Sequence, residues 1–300
     1  MKMLFGGIEA GGTKFVCGVS DEQLQIIERV SFPTTTPAET MAQVLTFFNQ
    51  YQGQLQGIGV GSFGPIDIKE NSATYGYITS TPKLPWQQYD FVGTLKAAYD
   101  LPIAWTTDVN AACYGEYVAG HGQGLESVIY YTIGTGVGGG AVVKGEFLAG
   151  FSHPEMGHML MQPHPDDDFA GNCPFHHNCL EGLAAGPAIE KRLGVKAQTL
   201  APEEPFWKIE ADYLAQCVYN TTLMYAPEQI ILGGGVMKQP QLLPLVKAAF
   251  LKKLQGYVAI PAIDEYLKTP ALGDNAGLTG CLALAKKAAM GQKKVKQTLH

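Results

Sequence analysis

The chain has 300 residues, 46% hydrophobic and 16% charged, with a formal net charge of −6. That charge, with no long basic run, gives no electrostatic footprint for nucleic acid. No apolar run approaches the roughly 18 residues of a membrane helix, and Glu9 interrupts the apolar amino-terminal stretch before it reaches signal-peptide length. A cytoplasmic protein with neither membrane nor nucleic-acid partners is expected, in two domains, because single cores stop growing near this length.

The first predicted element is a hairpin. Gly11-Gly12-Thr13-Lys14 separates β-prone runs that end at Ala10 and resume at Phe15. Gly7 to Lys14 reads G-x-x-x-x-G-T-K, whereas a Walker A loop places lysine before the Ser/Thr and a helix directly after. Here a strand follows, so the element is strand, turn, strand. A Pro/Thr-rich connection from Pro33 to Pro37 leads to a helix over about 38–51, with Met41, Val44, Leu45 and Phe48 on one face. Residues 56–61 read as a glycine-laced buried strand and 89–99 as a helix. Residues 101–107 read as a strand delivering Asp108 at its carboxyl end, with another helix opening at Asn110.

The second half repeats the theme. Gly134-Thr135-Gly136-Val137-Gly138-Gly139-Gly140 again lies between β-prone runs. A turn of bare glycines lets backbone N–H groups approach an anion, and a neighbouring hydroxyl or lysine adds donors. Two such turns suggest one nucleotide held between related domains; two ordinary hairpins are the alternative, since glycine is common in their turns. Beyond a cysteine/histidine segment come helices near 186–192 and 209–225, a strand over 229–232 entering Gly233-Gly234-Gly235, and a final helix over 276–289. Lys286, Lys287, Lys293, Lys294 and Lys296 read as a solvated, frayed tail. The whole predicts an α/β protein with a cleft between equivalent lobes. Cys17, Cys113, Cys217 and Cys281 read as buried small hydrophobes.

Three groups of residues carry chemistry. Asp108 is the candidate catalytic carboxylate, because ligands of α/β sheets sit outside the carboxyl ends of strands; helix capping is its other reading. Asn110 could bind a substrate hydroxyl or be the cap itself, which would leave Asp108 for chemistry. Cys173, His176 and Cys179 form C-x2-H-x2-C, and with His158 they complete a closed four-ligand shell for a structural Zn²⁺. His177 and His164 compete for two of those places, and chance clustering of thiols and imidazoles is the alternative. Glu155 and Glu181 flank this loop and suit hydrogen bonds to the hydroxyls of a sugar.

Together these motifs resemble the ROK family of sugar kinases and repressors, in particular its fructokinase branch. The resemblance runs nearly end to end. It rests on Glu9 to Lys14, Ser62-Phe63-Gly64-Pro65-Ile66-Asp67, Thr107 to Ala112, Ile133 to Gly140, Glu155-Met156-Gly157-His158, Cys179-Leu180-Glu181-Gly182 and Leu232 to Val236, in the family's order; Tyr75 to Lys83 marks the branch. It implies an actin-like ATPase (ribonuclease H-like) α/β fold of two duplicated lobes, here 1–115, with helix 276–300 packing back on it, and 116–275 carrying the zinc loop. It further implies transfer of the γ-phosphoryl group of Mg-ATP to the 6-hydroxyl of D-fructose, and a homodimer. Asp108 would be the general base, and Asn110, Glu155, His158, Glu181 and Gly64 would face the sugar. Gly11, Gly12, Thr13, Lys14, Thr132, Thr135, Gly136 and Pro187 would line the nucleotide, and Gly233, Gly234 and Gly235 would approach its adenosine. His158 would divide its ring nitrogens between sugar and metal.

Two departures stand out. Glu9 replaces the family's usual aspartate, so a water-mediated Mg²⁺ contact needs a longer side chain or a shifted ion. The usual zinc loop is C-x-C-G-x-x-G-C, whereas Phe175 occupies the second cysteine's place and His176 is supplied instead. A mannokinase or glucokinase of the same family is the near alternative. A sugar-responsive repressor would need a helix-turn-helix, and only ten residues precede Gly11. A non-catalytic sugar-binding module would have no need of Asp108 or of two phosphate turns.

Overall fold

The computed structural model of the protein describes residues 3–298, with side chains through residue 291. The terminal residues of the expected segments 1–115 and 276–300, and the side chains of Lys293, Lys294 and Lys296, lie outside the described residues. The chain forms two compact units, residues 1–123 with 149–153 and 274–300, and residues 124–148 with 154–273.

The first unit opens with β1 (Leu4–Ala10), β2 (Lys14–Ser20) and β3 (Ile26–Pro33), an antiparallel meander. Helix α1 (Pro37–Asn49) follows, started by a reciprocal cap between Thr36 and Glu39 and by proline in its first turn. It buries Met41, Val44, Phe47 and Phe48. Then come β4 (Leu55–Ser62), the small pair β5 (Tyr77–Ile78) and β6 (Tyr89–Asp90), α2 (Phe91–Ala98), β7 (Ile103–Thr107) and α3 (Asp108–Ala119). The sheet order is β3-β2-β1-β4-β7, with β1, β4 and β7 parallel. Phe15, Trp86, Phe91 and Trp105 stack through its core, with Phe15 to Trp86 and Phe91 to Trp105 both at 5.4 Å between ring centroids.

The second unit repeats this plan. Strands β8 (Ser127–Ile133), β9 (Val137–Val143) and β10 (Glu146–Phe147) form the meander. Helices α4 (Leu180–Ala184), α5 (Gly186–Leu193) and α6 (Phe206–Tyr225) precede β11 (Gln229–Gly233), α7 (Leu242–Leu254), α8 (Ile263–Tyr266) and β12 (Leu267–Lys268). Its sheet order is β10-β9-β8-β11-β12, the same third-second-first-fourth-fifth arrangement, with β8, β11 and β12 parallel. The two glycine turns are therefore topological equivalents. Gly11 N–H donates to the Lys14 carbonyl at 3.0 Å, closing a four-residue turn, and Gly134 N–H to the Gly136 carbonyl at 2.8 Å, closing a three-residue one.

The final helix, α9 (Ala276–Thr298), returns to the first unit and packs along α3, β1 and β4. Lys286 and Lys287 belong to it rather than to a frayed tail: Lys286 Nζ donates to the Glu22 carbonyl at 2.6 Å, and Lys287 Nζ lies over the Tyr114 ring. Among the described residues no helix is long and apolar enough to cross a membrane. The four isolated cysteines are buried, as expected.

A buried acid in the second unit has a measurable consequence. Glu210, on α6, is fully buried, and neither carboxylate oxygen has a hydrogen-bond partner among the described residues. Burial pushes its carboxyl well above the usual range, against the pull of Arg192 and with a push from Asp167. A carboxyl raised in the folded state stabilises most below its unfolded pKa, and that contribution is lost as pH rises towards the folded value. Glu210→Gln stays neutral throughout. Its denaturation midpoint is expected to gain on the wild type's between about pH 5 and about pH 8; an equal difference at both pH values would show that Glu210 is ionised in the fold.

Candidate active site

In the first unit the candidate residues collect at the carboxyl ends of three parallel strands. The Gly11 turn leaves β1, Phe63 and Gly64 leave β4 with Phe63 N–H donating to the Ala10 carbonyl at 2.7 Å, and Asp108 follows β7, which pairs with β4 up to Ser62 and Thr107. Asp108 is the first residue of α3, so that helix begins two residues before the expected start at Asn110. The cap is neither Asp108 nor Asn110. Thr107 Oγ1 accepts from Asn110 N–H at 3.1 Å, a choice set by where β7 ends, since all three are favoured cap types. Asp108 Oδ1 accepts from Val109 N–H at 2.8 Å, while the buried Asn110 side chain donates to Thr106 Oγ1 at 3.1 Å.

Glu9 sits one strand away, paired in register with Gly61 of β4. Burial, and then Asp108, push its carboxyl up to about 7 against the pull of Lys14 and Arg29, with a further push from Asp274. Its Oε2 is buried and has no hydrogen-bond partner among the described residues. An orphaned carboxyl oxygen that feels the charge of Asp108 and Asp274 is hard-oxygen chemistry, which fits Mg²⁺.

In the second unit the glycine residues of the candidate nucleotide set converge. Gly186 N–H, at the start of α5 beside Pro187, donates to the Gly134 carbonyl at 2.8 Å. A side chain on Gly134 would come 3.9 Å from Gly235 N, and Thr132 pairs with Gly233 across β8 and β11. Gly234 has a φ of 91°, and a Cβ there would collide with the backbone of Ile133, so both conformation and space require glycine. Thr135 is exposed at the turn's tip, as Thr13 and Lys14 are in the first unit.

Glu181 ties this turn to the cysteine/histidine segment. Its Oε2 accepts from Val137 N–H at 3.0 Å, and its Oε1 lies 4.0 Å from His158 Nε2. The other nitrogen of His158, Nδ1, stands 3.5 Å from Cys179 Sγ and 3.8 Å from Cys173 Sγ; His176 Nδ1 is 3.7 Å from Cys173 Sγ. The ligand atoms of His158, Cys173, His176 and Cys179 all lie within 4.8 Å of one another. Tetrahedral Zn–S and Zn–N bond lengths give ligand separations of roughly 3.3–3.8 Å, and the sulfur–nitrogen distances of 3.5, 3.8 and 3.7 Å lie in that range, so the chemistry of this donor set fits zinc. His177, with a φ of 53°, and His164, whose Nδ1 accepts from Asp166 N–H at 3.2 Å, are not in the group. Glu155 is exposed at the start of the short turn that presents His158.

The profile of the ROK family matches residues 5–288. The chain belongs to the ROK family. It is 49% identical over 293 residues to a fructokinase of Streptococcus mutans, covering 96% of this chain and 99% of that protein. It is 48% identical over 286 residues to a fructokinase of Pediococcus pentosaceus, covering 95% and 99%. Among solved structures it is similar to a ROK hexokinase from Thermus thermophilus, with a TM-score of 0.79 at 28% identity over 97% of this chain and all of that one. The fold is thus the actin-like ATPase fold, as the motifs implied.

Some residues that shape this ROK site were not assigned a role from sequence. Thr34 N–H donates to the Thr13 carbonyl at 2.9 Å and Thr34 Oγ1 to the Gly11 carbonyl at 2.7 Å, strapping the first turn from outside. Lys83 was legible only as a marker of the family branch, yet its side chain lies against Gly12. Asp274, far along the chain, adds to the electrostatic push on Glu9, and no local signal announced that.

Proposed function

We propose that the chain is an ATP-dependent hexose kinase that transfers the γ-phosphoryl group of Mg-ATP to the 6-hydroxyl of D-fructose. The observation that carries this reading is Asp108, placed beyond a strand end in the same unit as the first glycine turn and freed from capping by Thr107. Fructokinase relatives near half identity over nearly the whole chain support fructose as the acceptor.

Asp108 acts as general base. Its Oδ1 bond from Val109 N–H fixes the carboxylate, which takes the proton of O6 as the O6–P bond forms and the bond to the β,γ-bridging oxygen breaks, the electron pair leaving with ADP. Asn110, Glu155, His158, Glu181 and Gly64 orient the hexose. The glycine turns, with Thr13, Lys14, Thr132, Thr135 and Pro187, receive the nucleotide, whose adenosine approaches Gly233 to Gly235. Mg²⁺, held near Glu9, would neutralise phosphate charge. Zn²⁺ on His158, Cys173, His176 and Cys179 would have no open position and a structural role, keeping His158 Nε2 turned towards Glu181.

The test is a hexose panel with Mg-ATP, following ADP release and the position of the new phosphate. Fructose is expected to give the highest kcat/KM, with phosphate on O6. A higher value for glucose or mannose would reassign the acceptor, and no hexose-dependent ADP release would overturn the kinase reading.

A further inference from the structure

We propose that Lys83 is a further catalytic residue, whose ammonium contacts the phosphoryl group in transit; the proposal rests on the kinase reading above. A Cβ built on Gly12 would come within 3.0 Å of Lys83 Cε and 4.0 Å of Cδ, so the lysine arm lies directly against the first phosphate turn. The side chain is partly buried, and its Nζ makes no hydrogen bond or ion pair among the described residues. A cation held against an anion-binding turn, and matched to no carboxylate, is poised for an anion that the protein itself does not supply.

The lysine and the turn hang on the same two residues. Thr34 binds Gly11 and Thr13 from outside the turn, and the next carbonyl, that of Thr35, accepts from Trp86 Nε1 at 2.8 Å. Trp86 N–H in turn donates to the Lys83 carbonyl at 2.8 Å. Lys83 N–H donates to Oγ1 of the buried Thr81 at 3.3 Å, and Gln87 Nε2 closes the loop on the Thr81 carbonyl at 2.9 Å. Trp86 is itself buried against Phe15 of β2 and Phe63. The loop that carries the charge is therefore fixed to the hairpin that binds the phosphates, and little reorganisation is needed as charge develops.

Chemistry assigns the charge to the transferring group. In phosphoryl transfer the negative charge spreads over three equatorial oxygens while the bonds to the entering O6 and the leaving oxygen are both partial. Asp108 takes the O6 proton, so proton transfer is not asked of Lys83. Its role is to stabilise the equatorial charge, as a preorganised donor worth on the order of 10²- to 10³-fold in kcat.

Lys83→Met keeps the apolar arm over Gly12 and removes the charge. It is expected to lower kcat with the preferred hexose on the order of 10²-fold, with little change in the KM for hexose or in the thermal midpoint, and Lys83→Arg should recover part of the loss. A Lys83→Met kcat within about threefold of wild type would overturn the proposal, as would a loss carried by the KM for hexose alone. Calorimetry of a non-hydrolysable ATP analogue and of ADP keeps the test separate from the kinase reading. Lys83→Met is expected to lose affinity for the triphosphate while ADP binding holds, even if no hexose in the panel is phosphorylated; an unchanged ratio of the two affinities would overturn the lysine's role with or without turnover.

Discussion

Asp108→Asn is expected to reduce kcat on the order of 10²- to 10⁴-fold while leaving hexose and ATP binding largely intact. Asparagine has the same shape, and its amide oxygen can still accept from Val109 N–H as Asp108 Oδ1 does at 2.8 Å. It cannot take the proton of O6. The helix does not depend on the charge for its start, because Thr107 caps it. What α3 loses is the interaction of a first-turn anion with the helix dipole, about 0.3–1 kcal/mol, against a transition-state loss of about 3–5 kcal/mol for the kinetic effect. The two scales separate a chemical role from a folding one. Near-full turnover by the asparagine variant, at unchanged stability, would remove Asp108 from the mechanism.

Cys179→Ser should lose the metal and much of the second unit's stability together. Elemental analysis of the wild type is expected to find about one zinc per chain and of the variant almost none, with a drop in Tm on the order of 10 °C. The cysteine is fully buried, and Gly182 N–H donates to its sulfur at 3.4 Å at the start of α4. Glu181 stands two residues beyond and holds the second glycine turn through Val137, so the loss is expected to reach turnover as well. A wild type that is free of metal and fully stable would overturn the zinc assignment.

The hairpins and the candidate metal-binding loop were legible in the sequence because both are local. A glycine turn between β-branched runs has few alternatives, and C-x2-H-x2-C places three donors within one loop. The fourth candidate, His158, was named there with His164 and His177 as competitors, and the short turn at residues 156–158 brings it rather than those two to the group. The helix start was misread for an equally physical reason. Thr107, Asp108 and Asn110 all favour the cap, and sequence alone does not say where β7 stops. Lys83 was hidden because its meaning depends on Gly12, some seventy positions earlier, and on a strap through Thr34 and Thr35 that no periodicity reveals.

The return of α9 to the first unit sets an order of events during synthesis. Side chains on Gly115 or Gly280 would collide with the backbone of the opposite helix, so α3 and α9 pack with almost nothing between them. The sheet that leaves the ribosome first thus lacks the covering it needs until the last segment of the chain has emerged. The second unit, lying wholly between those segments, can complete its own core earlier. A chain cut short after residue 275 and released from the ribosome is expected to show a protease-resistant second unit beside a first unit that is still cleaved.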